Sequence, residues 1–248
     1  MLTVDNLTFS FGERPVLSSV TLHCNSGETI GIVGKSGIGK TTLLNVVAGC
    51  LNGYSGKISV GGSPPAEAAR RQEIGFIFQT PTLIPWLTVR QNVSLPLAIH
   101  RRGTGKVTDE LDAALRSARI NHAQHLFPHQ LSGGMQTRAA IARAIAYHPS
   151  LLLMDEPFTG LDDVVKEDLF NDLQTRWLEA QTASVLVSHD LSEVTRLCDR
   201  VYVLKTDRVG ACQILHSEEI NLEKPRGIEV LEDSGFLAAR RRIWQHLQ

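Results

Sequence analysis

Thr29 to Val33 is a short apolar stretch that runs into Gly34-Lys35-Ser36-Gly37-Ile38-Gly39-Lys40-Thr41, and a helical pattern follows from about Lys40 to Ala48. A strand joined to a helix through three glycines, a lysine and a hydroxyl is the context of a phosphate-binding loop, the Walker A pattern. The glycines let main-chain N–H groups wrap phosphate oxygens. Lys40 would neutralise the β and γ groups, and Thr41 offers a hydroxyl to a magnesium ion.

The rest of the chain continues the alternation. Residues 2–9 and 16–24 alternate polar and apolar positions, as half-buried antiparallel strands do. Phe11-Gly12-Glu13-Arg14-Pro15 reads as a turn-rich break between them. Lys57 to Val60 and Ile74 to Phe78 are further strands, the second ending at Gln79. From about Thr88 to His148 the pattern turns helical, clearest at Val107 to Ala118 and Gln136 to Tyr147, as an inserted helical subdomain would. Strand-like runs resume at Leu151 to Met154, Ser184 to Val187 and Val201 to Leu204, with helices at about Val164 to Ala180 and Leu191 to Leu197 between them. Strands alternating with helices predict an α/β fold whose mostly parallel sheet is covered on both faces.

A chain of 248 residues is long enough for one large α/β domain with a subdomain. The net charge of −1 points to neither nucleic acid nor an anionic membrane surface as partner. No run approaches the roughly 18 apolar residues of a membrane helix, and no secretory leader is visible, so a soluble protein is expected. Cys24, Cys50, Cys198 and Cys212 lack metal or redox spacing and read as reduced thiols.

Two further segments carry chemistry. Leu151-Leu152-Leu153-Met154-Asp155-Glu156 is an apolar strand ending in adjacent carboxylates, placed where α/β sheets bind ligands. Asp155 suits the water shell of Mg²⁺. Glu156, pointing to the opposite side, would orient or deprotonate an attacking water. The second is Leu131-Ser132-Gly133-Gly134, which opens a helix and makes a backbone anion cradle at its positive end. A chain with two phosphate half-sites suggests two copies meeting head to tail around shared nucleotide.

Walker A, Gln79, Leu131-Ser132-Gly133-Gly134, the Asp155-Glu156 strand, Thr159-Gly160-Leu161-Asp162 and His189 stand in the order found in ATP-binding cassette ATPases, and residues 2 to 210 resemble that family. The resemblance implies a P-loop NTPase fold of RecA-like type with an N-terminal antiparallel β subdomain. It implies an ATPase domain over residues 1–219, with its helical subdomain at about 88–148, and a C-terminal tail over 220–248 carrying an amphipathic basic helix. It implies ATP and Mg²⁺ as cofactors, with Gly34, Lys35, Ser36, Gly37, Gly39, Lys40, Thr41 and Thr42 around the phosphates and Phe11 stacked on adenine. Thr41, Gln79 and Asp155 would hold the metal, and Glu156, His189 and Gln79 would serve catalysis. Ser132, Gly133, Gly134 and Asp162 would act across a homodimer interface. The departures are Met135 where the family commonly has glutamine, with Gln136 following, and Thr159 in the Asp-loop.

Within the family, Pro85-Trp86 followed by Thr88-Val89 and Asn92-Val93, Phe127-Pro128-His129-Gln130 before a signature that continues with Met135, and the tail from Ile220 to Leu247 are similar to the nitrate/sulfonate/taurine-type importer ATPases. That resemblance implies an importer subunit at the cytoplasmic face of the cell membrane. Its partners would be permease subunits contacted near Leu83-Leu87, a solute-binding protein reached indirectly, and no nucleic acid. Leu83, Ile84, Trp86 and Leu87 would form the apolar patch that a permease helix fills. An exporter subunit, a soluble non-transport cassette and a non-hydrolysing regulator are the rival readings, and Glu156 with His189 speaks against the last. His122, His125 and His129, around Pro128, read as surface residues rather than metal ligands, and Arg240-Arg241-Arg242 as a solvated helix face.

Overall fold

The computed structural model describes residues 1–99, 104–207 and 210–248, with side chains at all of these except 104–107 and 175–180. Residues 100–103 of the expected helical subdomain lie outside the described residues. The strands are β1 (Leu2–Phe11), β2 (Arg14–Cys24), β3 (Thr29–Val33), β4 (Ser55–Val60), β5 (Ile74–Ile77), β6 (Leu151–Asp155), β7 (Ala183–Val187), β8 (Arg200–Thr206) and β9 (Cys212–Glu219). The helices are α1 (Lys40–Val47), α2 (Pro65–Arg70), α3 (Val89–Ile99), α4 (Thr104–Ser117), α5 (Gly133–Ile145), α6 (Asp163–Ala180), α7 (Leu191–Leu197) and α8 (Ser234–Leu247).

Strands β3, β6 and β7 are buried at every position, because helices cover the sheet on both sides. Alternate side chains of one strand therefore feed two cores. Leu151 and Leu153 join Ile30, Ile32, Val185 and Val187 on the face of α1, while Leu152 and Met154 join Val33 and Leu186 on the face of α5, α6 and α7. The sheet runs in the order β4-β1-β2-β9-β8-β3-β7-β6-β5. Its β8-β3-β7-β6-β5 half is parallel, and β1 pairs antiparallel with both β2 and β4.

Two expectations change. The break at 11–15 narrows to Gly12 and Glu13, because Phe11 and Arg14 pair across a tight hairpin with Gly12 at φ 59. Strand β9 was not foreseen. It pairs antiparallel with β8 and touches β2 in parallel at Leu17 and Cys212, so it joins the two halves into one sheet. Its alternate residues are only partly buried, which leaves a weak apolar signal.

The helices α3, α4 and α5 enclose a third core of Val89, Val93, Leu97, Leu111, Leu115, Ala139 and Ala142. Beyond β9, α8 buries Phe236, Ala239 and Ile243, and Ala239 and Ile243 enter the core beside α7. That i, i+3, i+7 spacing is one helix face. Arg226 fastens the same segment, its guanidinium donating to the carbonyls of Thr195, Cys198, Ile220 and Leu222 at 2.9, 2.7, 3.1 and 2.8 Å. A cation at the carboxyl end of α7 is where the helix dipole favours one.

Candidate functional site

The loop after β3 owes its shape to two glycines in left-handed backbone, Gly37 at φ 74 and Gly39 at φ 118. A Cβ at Gly37 would meet nothing within 4 Å, so the loop opens on space, whereas one at Gly39 would press on Val16 at 3.1 Å. Lys40 begins α1, and its Nζ donates to the carbonyls of Gly34 and Lys35 at 2.9 and 3.0 Å. Burial pulls its pKa down, and the nearby Glu156 and Asp155 oppose that shift. An ammonium held among carbonyls at the wall of a polar cleft is suited to a phosphate.

Asp155 is buried at the end of β6. Burial raises its pKa, while a hydrogen bond from the Thr41 hydroxyl and the charge of Lys40 lower it. A carboxylate kept from water beside a hydroxyl fits a divalent cation, with the Gln79 amide across the cleft as a third oxygen donor. Glu156 leaves strand geometry with φ 46 and lines the cleft, whereas the buried Asp155 does not, and both carboxylates act on Lys40 electrostatically. Strand alternation stops at Asp155, so the period of two no longer applies at the next residue.

Three groups converge on one oxygen of Glu156. His189 Nδ1 lies 3.1 Å from Oε2, Thr159 donates its hydroxyl at 3.3 Å, and Gln79 donates its amide at 3.4 Å. Thr159, the departure in the Asp-loop, thus supplies a contact to the carboxylate. Next to an ionised carboxylate Nδ1 is the donor, so a neutral His189 ring presents Nε2 as an acceptor.

Phe11, Ser36, Gly37, Gly39, Lys40, Thr41, Thr42, Gln79 and Glu156 line one cleft of about 330 Å³. Phe11 is 53% exposed, with its ring perpendicular to that of core residue Phe9 and the centroids 4.9 Å apart, so ring surface is left open to stacking. Arg14 and Val16 also line the cleft and were not foreseen. The cross-strand pairing of Arg14 with Phe11 was the missed signal.

None of Ser132, Gly133, Gly134 and Asp162 lines this cleft. Ser132 caps α5, accepting from Met135 N at 3.3 Å, and Asp162 caps α6, accepting from Val165 N at 2.9 Å. Met135 packs on the third core, and the Gln136 amide donates to Pro128 O at 3.1 Å, which ties the preceding linker to α5. A larger cleft of about 710 Å³, lined by His189 and by residues of α7 and α8, holds none of the phosphate-loop residues.

The apolar patch after Gln79 is narrower than expected. Trp86 is 75% exposed, but Leu83 packs on the third core. Asn92, wholly buried, holds the loop by accepting from Ile84 N at 2.7 Å and donating to the carbonyls of Leu87 and Thr88, both at 3.0 Å. Among the described residues no group of three or more His, Cys, Asp or Glu side chains could hold a metal, and His122, His125 and His129 are exposed. No described helix is long and apolar enough to cross a membrane.

Residues 17–159 match the family model described as ABC transporter. The chain is 39% identical over 189 residues to the aliphatic sulfonates import ATP-binding protein of Bacillus licheniformis, covering 76% of this chain and 72% of that one. It is 36% identical over 232 residues to the nitrate import ATP-binding protein of Synechococcus elongatus, covering 92% and 83%. To the sulfate/thiosulfate import ATP-binding protein of Nocardia farcinica it is 37% identical over 210 residues, covering 84% of this chain but only 63% of that longer relative. Among solved structures it resembles a dimeric ATP-binding cassette bound to ADP and phosphate in a post-hydrolysis state. The TM-score is 0.78 at 33% identity, covering 90% of this chain and all of that one.

Proposed function

Because the chain belongs to the ABC transporter family of ATP-binding cassettes, we propose that it is the ATP-hydrolysing subunit of an importer, working as a head-to-tail homodimer beneath membrane permease subunits. Residues 1–219 are the ATPase domain and 220–248 its tail. The observation that carries the reading is the separation of the two phosphate-binding devices. Lys40 lies in the cleft, and Ser132 to Gly134 lie outside it. One chain supplies one wall, and a second copy supplies the other.

In this reading Phe11 stacks on adenine, and the loop N–H groups with Lys40 grip the phosphates. Magnesium, held by Thr41, Gln79 and Asp155, would neutralise charge on the β- and γ-phosphates. Glu156 orients the attacking water with the oxygen not engaged by His189, Thr159 and Gln79, and takes up its proton. As water oxygen bonds to the γ-phosphorus, the bond to the bridging oxygen breaks, yielding ADP and phosphate. For His189 to donate through Nε2 to the γ-phosphate, its ring must take a second proton or release Glu156. Ser132, Gly133, Gly134 and Asp162 engage the partner's nucleotide, so ATP joins the two copies and its hydrolysis lets them part.

Trp86 and its neighbours form the permease contact, which puts the protein at the cytoplasmic face of the membrane as a peripheral subunit. Similarity to sulfonate and nitrate import proteins supports a small anionic solute. The test is gel filtration of Glu156→Gln with ATP and magnesium, alongside Lys40→Ala. The first is expected to elute as a dimer that releases ATP slowly, and the second as a monomer that does not bind fluorescent ATP. A Glu156→Gln protein that hydrolyses ATP at the parent rate, or remains monomeric with ATP bound, refutes the scheme.

A further inference from the structure

His189 sits in a turn closed by a side-chain network that the scheme above does not use. The Ser188 hydroxyl accepts from Asp190 N at 3.0 Å, spanning His189, and donates to Glu193 Oε2 at 2.6 Å. Glu193 lies in α7 and is 6% exposed. Its other oxygen, Oε1, takes the ammonium of Lys166 at 3.0 Å. Lys166 belongs to the first turns of α6, where its own N–H bonds to Asp162 O at 3.0 Å. One carboxylate therefore joins the turn that carries His189 to the helix that Asp162 caps, and each of its oxygens is committed to a different side. The Ser188 hydroxyl proton has a single direction, because Glu193 only accepts and Asp190 N only donates.

We infer that Glu193 is a positioning residue: through Ser188 and Lys166 it locks the His189 turn to the Asp162 helix, so that a second copy docking at Asp162 sets His189 for hydrolysis. The inference rests on the homodimeric ATPase reading and gives it a path within one subunit. With Glu193 buried and the Lys166 side chain 24% exposed, this pair between two helices transmits displacement better than a fully exposed pair, whose side chains rearrange in water. Among the described residues the Glu193 carboxylate bonds to Ser188 and Lys166 and not to the phosphate loop, so its effect belongs in turnover rather than in ATP affinity.

The test uses steady-state hydrolysis by the full chain, with fluorescent-ATP binding and thermal melting as checks. Glu193→Gln and Lys166→Met are each expected to lower kcat about tenfold, the scale of a mispositioned group, with KM for ATP within about twofold. Lys166→Arg, which keeps the pairing, should recover most of the parent kcat. The Glu193→Gln/Lys166→Met double variant should fall no further than either single one, as members of one unit do. If Glu193→Gln does not fold, Ser188→Ala supplies the same readout from the other end of the network. Unchanged kcat in the folded variants overturns the inference, as do losses that add in the double variant or a kcat loss that tracks lost ATP binding and melting temperature. Should the parent hydrolyse normally while the variants match it, only this inference falls. A parent without ATPase activity removes both it and the reading beneath it.

Discussion

Arg226 is the side chain whose removal has the most calculable consequence for the tail. It is 2% exposed, and burial lowers its pKa with Asp199 opposing. Its guanidinium donates to the carbonyls of Thr195, Cys198, Ile220 and Leu222 within 3.1 Å, and to Arg196 O at 3.3 Å. Its own carbonyl accepts from Arg196 Nε at 2.7 Å, and the Gln174 amide brackets its backbone at 2.8 and 3.1 Å. Arg226→Met keeps the apolar stem and deletes the donors. Ile220 O keeps the N–H of Leu222 at 3.0 Å; the other four carbonyls, orphaned at about 1–3 kcal/mol each, set an upper bound of roughly 4–12 kcal/mol. Relief of a desolvated charge offsets several kcal/mol of that, leaving a net loss of about 3–5 kcal/mol. For a chain of this size each kcal/mol moves Tm by about 2–4 °C, so a drop on the order of 10 °C is expected. Circular dichroism melting of the nucleotide-free protein measures it. Arg226→Lys keeps the charge but offers only three donors without the planar fork, and should lose roughly half as much. A Tm within about 2 °C of the parent for Arg226→Met would show that the tail is not held by this residue.

Two further outcomes follow from the site and its surroundings. Asp155 has a folded-state pKa raised mainly by burial, so its ionisation opposes folding. Its stabilising contribution is present below the ordinary aspartate pKa and is lost as pH rises through the raised folded value. Asp155→Asn should therefore melt above the parent at neutral pH in the absence of nucleotide and magnesium, the gap closing in acid; a lower Tm for Asn at neutral pH contradicts the argument. Trp86→Ala removes an exposed ring from the loop held by Asn92 and should reduce capture by detergent-solubilised permease subunits several-fold; undiminished capture places the permease contact elsewhere.

Much of the candidate site was legible along the chain because it depends on local covalent order. A glycine loop between an apolar strand and a helix makes an anion cradle wherever it occurs, so Gly34 to Thr42 could be named before any contact was known. Asp155 was legible for the same reason, as the residue ending a fully apolar strand. Glu156 was readable as a catalytic candidate, but its direction was not, since a single left-handed φ cancels the alternation that assigns faces. Strand β9 escaped because its half-buried residues carry little periodicity, and its place is set by β8 on one side and Leu17 of β2 on the other.

By itself the sequence determined the fold class and the strand, glycine loop and helix that carry Lys40, and it named Gln79 and His189, though not Thr159, beside Glu156. Only the tertiary structure decided that Thr159, Gln79 and His189 converge on one oxygen, that Arg226 pins the tail to α7, and that Glu193 joins Lys166 to the His189 turn. The reason is range. A loop or a strand is specified by neighbours a few bonds away. A buried polar group is satisfied by whichever partner the packing brings within 3 Å, from Lys166 to Glu193 or from Arg226 to Thr195, and no spacing along the chain encodes that distance.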